Sequence, residues 1–98
     1  MTQTTLPEGM DFPLEGVRVL DLSRVFAGPL CGQVLADFGA EVIKVEHPLR
    51  GDDTRDWGMR IGKTETTYYN SMNRNKRSIT LDLQSAEGVQ LIYELLPQ

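Results

Sequence analysis

The chain has 98 residues, 40% of them hydrophobic and 24% charged, with a formal net charge of −4. That suits one small domain and is too apolar for a disordered chain, while its longest apolar runs are far too short to span a bilayer. The single cysteine, Cys31, excludes an internal disulfide and points to a reducing, cytoplasmic setting.

Charge is unevenly spread: residues 44–77 carry a net +3 and the remainder −7. A duplex needs a coherent basic face, so a nucleic acid is not expected as partner, and with apolar runs this short no membrane is expected either. A small anionic ligand fits better, and a solvated loop of mixed charge is the plainer reading of the same segment.

Residues 1–13, MTQTTLPEGMDFP, lack the basic residue and apolar core of a signal peptide. They read as a flexible polar arm, and residues 14–98 as the structured part. Val17 to Leu22 is rich in β-formers and predicts a strand. Pro29 predicts the first residue of a helix, because its missing N–H has no partner there in any case. Leu30, Val34 and Phe38 then recur every fourth residue, with Cys31 and Leu35 beside them, as the buried apolar face. Cys31 reads as packing, not as a nucleophile. Gly39 stands where a left-handed helix end is wanted, and Glu41 to Glu46 predicts a second strand. Strand, helix, strand with short links predicts a right-handed βαβ unit with parallel strands.

Residues 47–65 form a turn-rich connection with Pro48, Gly51, Gly58 and Gly62, long enough to suggest function. Asp52, Asp53 and Asp56 lack the spacing of a calcium loop, so no metal is assigned. Thr66 to Arg74 predicts a short helix or a turn, and Ser78 to Leu83 a third strand. Ser85 caps a last helix, whose buried face is Val89, Ile92 and Leu96 with Leu91 and Leu95.

In a parallel sheet, ligands collect outside the carboxyl ends of the strands. Three connections leave such ends: Ser23 to Gly28, the turn from His47, and the link from Asp82 to Ser85. The dinucleotide fingerprint is absent, since Gly28 and Gly32 are wrongly spaced and Phe26 crowds the turn. Gly32 and Ala36 read as small residues that let the helix lie close on the sheet.

Several motifs occur together in order: LEGVRVLDLSRVFAGPLCGQVLADFGAEVIKVEHP, then GDDTRDWG, then NRNKRSITLDL followed by SAEG. From Leu14 onward the chain resembles the amino-terminal part of the class III CoA-transferases, the family of formyl-CoA transferase and the carnitine CoA-transferases. The resemblance implies an α/β fold with a parallel sheet and Rossmann-like βαβ connections, as an incomplete large domain. It implies an acyl-CoA and a carboxylic acid as substrates, with coenzyme A as substrate and not as a permanent cofactor. An interlocked homodimer is implied for the longer family members.

By the same resemblance, Arg24, Val25, Phe26 and Ala27 border the thiol end of CoA and the acyl group. Phe26 stands where formyl-CoA transferases carry glutamine, which argues against formate and oxalate. His47 replaces an arginine near the nucleotide phosphate and is a weaker partner for it. Leu81, Asp82, Leu83 and Gln84 cradle adenine, with Gln84 where a lysine sometimes stands. Trp57 matches an active-site tryptophan, although it reads equally as a pin for the long loop. Arg74, Lys76 and Arg77 read either as phosphate contacts or as members of internal ion pairs.

The family nucleophile is an aspartate that none of the acids here matches, so no catalytic residue is assigned. An acyl-CoA racemase of the same fold is the alternative, disfavoured by the GDDTR-W and NRNKRS segments. A chain that is inactive alone is the third reading.

Overall fold

A computed structural model describes residues 11–97 of the chain. Strand β1 (Arg18–Asp21), helix α1 (Ala27–Asp37) and strand β2 (Glu41–Glu46) make the expected βαβ unit. A 3-10 turn at Asp53–Asp56 follows, then a hairpin of β3 (Arg60–Ile61) and β4 (Glu65–Thr66). Helix α2 (Thr67–Met72), strand β5 (Lys76–Thr80) and helix α3 (Ala86–Leu95) complete the order. The main sheet runs β1-β2-β5 and is wholly parallel. Asp21 lies beside Lys44, and Lys44 beside Ser78.

Helix α1 starts two residues earlier than predicted, with the Leu30 N–H donating to the Phe26 carbonyl at 2.9 Å. Pro29 is tolerated because it is the third residue of the helix, a position whose N–H has no intrahelical partner. Gly39 ends the helix at φ 105°, a region that resists side chains, and a Cβ there would run into Phe12. Residues 1–10 of the predicted arm lie outside the described residues. The end of that arm is not free: Phe12 is half-buried, and the Leu14 N–H donates to the Phe38 carbonyl at 2.8 Å.

The buried faces of the helices differ from expectation. Helix α1 buries Pro29, Gly32, Gln33 and Ala36, whereas Val34 is 44% and Phe38 50% exposed, and Cys31 is exposed too. The reason is the surface beneath it. An ion pair, Asp21–Lys76, lies under Gly32, and Gln33 accepts the Arg74 N–H at 2.7 Å. A polar floor selects small and amide residues. The apolar cluster is correspondingly small, with Ala36, Ala40 and Val42 surrounded by Leu14, Val19 and Leu35. Helix α3 is capped as predicted, with the Ser85 hydroxyl accepting the Gly88 N–H at 3.0 Å. Its stripe is not buried: Val89, Leu91 and Leu96 are exposed, and Ile92 and Leu95 are half-buried. Only Gly88 of this helix is buried, close against the Asp82 carbonyl.

The third strand begins at Lys76 and not at Ser78, and ends at Thr80 and not at Leu83. The Leu81 N–H still donates to the Glu46 carbonyl at 3.0 Å, after which Asp82 turns the chain by accepting the Gln84 N–H at 2.9 Å. Helix α2 is shorter than predicted, and the Thr66 hydroxyl caps it by accepting the Tyr69 N–H at 3.1 Å.

Exposed apolar stripes on two helices favour association. In sedimentation velocity across a concentration series, the purified 98-residue chain is expected to self-associate. The Val34→Glu/Phe38→Glu variant is expected to associate less. A wild-type chain that stays a single monomeric species throughout would contradict this.

Candidate functional site

The three parallel strands end around one cavity of about 340 Å³. The β1 end supplies Leu22, Ser23 and Arg24, and the β2 end supplies His47, Arg50 and Gly51. Leu81, Asp82, Leu83 and Gln84 close the third side. Six of the residues singled out in the sequence thus meet in one groove: Arg24, His47, Leu81, Asp82, Leu83 and Gln84. Val25, Phe26, Ala27 and Trp57 do not line it. Phe26 is 48% exposed at the start of α1, directly before Ala27. Trp57 stands edge-on against Tyr68 with ring centroids 5.5 Å apart, which fastens the long loop to α2.

Arg50 is one of the groove residues that sequence reading missed; Val45, Glu46, Gly51 and Asp52 line the groove too. The only signal for Arg50 is proximity to His47, whose Nδ1 accepts the Leu49 N–H at 3.1 Å and the Arg50 N–H at 3.3 Å. An accepting Nδ1 puts the proton of the neutral ring on Nε2. His47 is therefore both a turn residue and part of the groove.

Behind the groove lies a layer of buried charge. Alternation along β2 puts Val42, Lys44 and Glu46 on one face. Lys44, 0% exposed, pairs with Asp52 at 2.8 Å. Glu46 accepts from Arg55 at 2.7 and 2.8 Å, from the Asp52 N–H at 2.8 Å, from the Tyr69 hydroxyl at 3.0 Å and from the Ser78 hydroxyl. Burial by itself would raise the Glu46 pKa, but these donors together bring it down to about 2. Burial and the neighbouring Glu46 charge push the Tyr69 phenol upward, so it stays protonated. The Arg55 guanidinium lies over the Tyr69 ring, 3.9 Å from its centroid.

Between β1 and β5, Lys76 donates to Asp21 at 2.6 Å, and to the Pro29 carbonyl and the Asn73 side chain at 2.8 Å each. Burial opposes ionisation of Asp21, yet Lys76 and Ser23 hold its pKa below the usual value. Arg74 pairs with Asp37 and Arg77 with Glu41. Arg74, Lys76 and Arg77 are thus engaged in internal ion pairs, near the start of β5 and away from the groove. Among the described residues no group of acids, histidines or cysteines could hold a metal ion, and no helix is long and apolar enough to cross a membrane.

The turn after β1 carries the strain of the site. Val25 has φ 78°, a left-handed conformation that costs an L-residue about 1–2 kcal/mol. A Cβ on Gly28 would collide with Ser23, and one on Gly32 would meet the Asp21 carboxylate at 2.8 Å. These glycines clear room for α1 over its own turn and over the ion pair. They are not a cradle for pyrophosphate.

An open parallel sheet with βαβ connections and a mixed polar and apolar groove at its strand ends places the chain among the α/β folds. The chain belongs to CoA-transferase family III, whose family model matches residues 14–98. It is 58% identical to succinyl-CoA:glutarate CoA-transferase of Homo sapiens, over 85% of this chain and 19% of that protein. It is 54% identical to succinyl-CoA–D-citramalate CoA-transferase of Chloroflexus aurantiacus, over 87% of this chain and 21% of that one. Among solved structures, a CAIB/BAIF family protein from Brucella suis superposes with a TM-score of 0.80 at 46% identity. That match covers 89% of this chain and 24% of the other. The chain spans about a fifth of the length of the curated relatives it matches.

Glu46 gives the groove's foundation an acid sensitivity. Its folded pKa lies below the ordinary 4.5, so its contribution is complete above that value and is lost as pH falls from 4.5 toward 2. The amount is on the order of 3 kcal/mol. Urea midpoints measured across that range should fall steeply for the parent. They should fall less steeply for Glu46→Gln, which is also less stable at neutral pH. An identical acid dependence in the two proteins would exclude Glu46 as a source.

Proposed function

We propose that this chain forms the amino-terminal part of the CoA-binding domain of an enzyme that moves CoA from an acyl-CoA thioester to a carboxylic acid. The observation that carries this reading is the convergence of Arg24, His47 and Leu81 to Gln84 on one groove at the carboxyl ends of three parallel strands. The adenine lies against Leu81 to Gln84. The nucleotide phosphates lie toward His47 and Arg50, an exposed cation that supports the site where His47 is a weak partner. The thiol end runs toward the turn of Arg24, Val25, Phe26 and Ala27. Trp57 belongs to the acyl side by resemblance, reached when further structure closes over it. Coenzyme A enters as substrate, with no permanent cofactor.

Two acids of the groove wall are poor nucleophiles because they are buried in ion pairs, Asp52 with Lys44 and Glu46 with Arg55, while Asp82 is engaged in turning the chain after β5. This supports a division of labour in which the chain binds and shapes, and an aspartate beyond these residues attacks the thioester. The enzyme is proposed to be a cytoplasmic homodimer. Relatives named for succinyl-CoA make a dicarboxylic acid and its thioester the substrates to test first. Phe26, which cannot hydrogen-bond a carboxylate, argues against formate and oxalate.

Titration calorimetry of CoA into the intact enzyme tests the groove. Leu81→Asp sets a carboxylate against the base and should weaken binding by about tenfold or more, equivalent to roughly 1.4 kcal/mol. A folded Leu81→Asp variant with parental affinity would remove this strand end from the site.

A further inference from the structure

We infer that the buried Lys44–Asp52 pair is a positioning device: it clamps the turn after β1 in its left-handed form and so sets where the thioester end of the substrate lies. This rests on the function proposed above. The turn is tethered to three side chains. Lys44 Nζ donates to the Ser23 carbonyl at 3.0 Å. The Val25 N–H is shared between both Asp52 carboxylate oxygens at 3.3 Å. Asp21 accepts the Ser23 N–H at 2.9 Å. Two of the three come from one ion pair with both side chains fully buried.

The pair is itself held rigidly. Asp52 Oδ1 accepts the Thr54 N–H and the Thr54 hydroxyl, both at 2.9 Å. The Asp52 N–H is fixed by Glu46. Its carboxylate is therefore placed before the turn meets it. Val25 is β-branched and disfavours φ 78° strongly, so the turn needs a partner that rewards this form. Asp52 supplies that reward through the N–H that the left-handed turn presents. With Val25 released, Arg24 on the groove wall and Phe26 at the head of α1 would both move. His47 and Leu81 to Gln84 stand on other elements and would not.

The consequence is a split between binding and turnover, tested in the intact enzyme. Lys44→Met/Asp52→Ala removes both charges together with the carboxylate that accepts the Val25 N–H, leaving no buried ion unpaired. Amide exchange at Val25 should accelerate while the amides of Ile43 and Val45 stay protected. Turnover should fall by roughly ten- to a hundredfold, as misplacement of a reacting group does. The CoA dissociation constant from calorimetry should change less than turnover does, by under the roughly tenfold that about 1.4 kcal/mol represents, because Ser23 and Arg24 are groove residues on the released turn while His47 and Leu81 to Gln84 are not. Adding Val25→Gly should recover much of the lost turnover, because glycine adopts positive φ without a Cβ penalty.

A Val25 amide that stays protected, turnover that is unchanged, or a loss that Val25→Gly does not recover would each overturn the clamp. Loss of protection at Ile43 and Val45 as well would make the pair fold support only, and would overturn it too. If the parent enzyme transfers no CoA, the proposed reaction fails, and the exchange measurement still decides whether the clamp exists.

Discussion

The structure depends on one constraint: β2 carries Lys44 and Glu46 on its buried face, two residues apart. Burying an ion costs several kcal/mol unless a partner and further hydrogen bonds compensate it. The chain meets that requirement with the segment after β2. Asp52 comes back to Lys44, and Arg55 comes back to Glu46. A long connection that sequence composition leaves open is thereby folded onto the carboxyl edge of the sheet. Thr54 and Thr66 are locked in by the same layer, and Tyr69 of α2 is tied to Glu46.

This arrangement places polar chemistry where most small domains put hydrocarbon. Asp21, Lys44, Glu46 and Lys76 come from three adjacent strands and share one side of the sheet, beneath α1, the 3-10 turn and α2. Their ion pairs fix relative positions by direction as well as by distance. That suits the proposed role of this layer as a wall that holds its shape against a long flexible ligand. The cost is a weak apolar core: among the described residues the buried cluster is Ala36, Ala40 and Val42. The larger apolar side chains of α1 and α3 are left at the surface.

The same inversion explains what the sequence made legible. VRVLDL and EVIKVE read as strands because β-formers dominate them, and the parallel order followed from the helix between them. The buried faces did not follow. Periodicity assumes that the buried side is the apolar side, and Leu30, Val34 and Phe38 satisfy the period while facing out. Lys76 hid the start of β5 because a lysine in NRNKRS reads as a turn until Asp21 is seen beneath it. The hairpin of β3 and β4 is too short for any pattern. Six of the groove residues were legible because strand ends in a parallel sheet converge whatever their sequence. Val25 was legible only by resemblance, since nothing in a lone valine signals positive φ. Arg50 had no signal beyond its neighbour.

The claim that these strand ends receive CoA is tested most directly by photolabelling the intact enzyme with a CoA that carries an azide on its adenine, followed by mapping of the adduct. The expected adduct lies within Leu81 to Gln84 or at His47, and excess unlabelled CoA abolishes it. An adduct at Arg74 to Arg77, at the opposite end of β5, or on the exposed face of α1, would contradict the account.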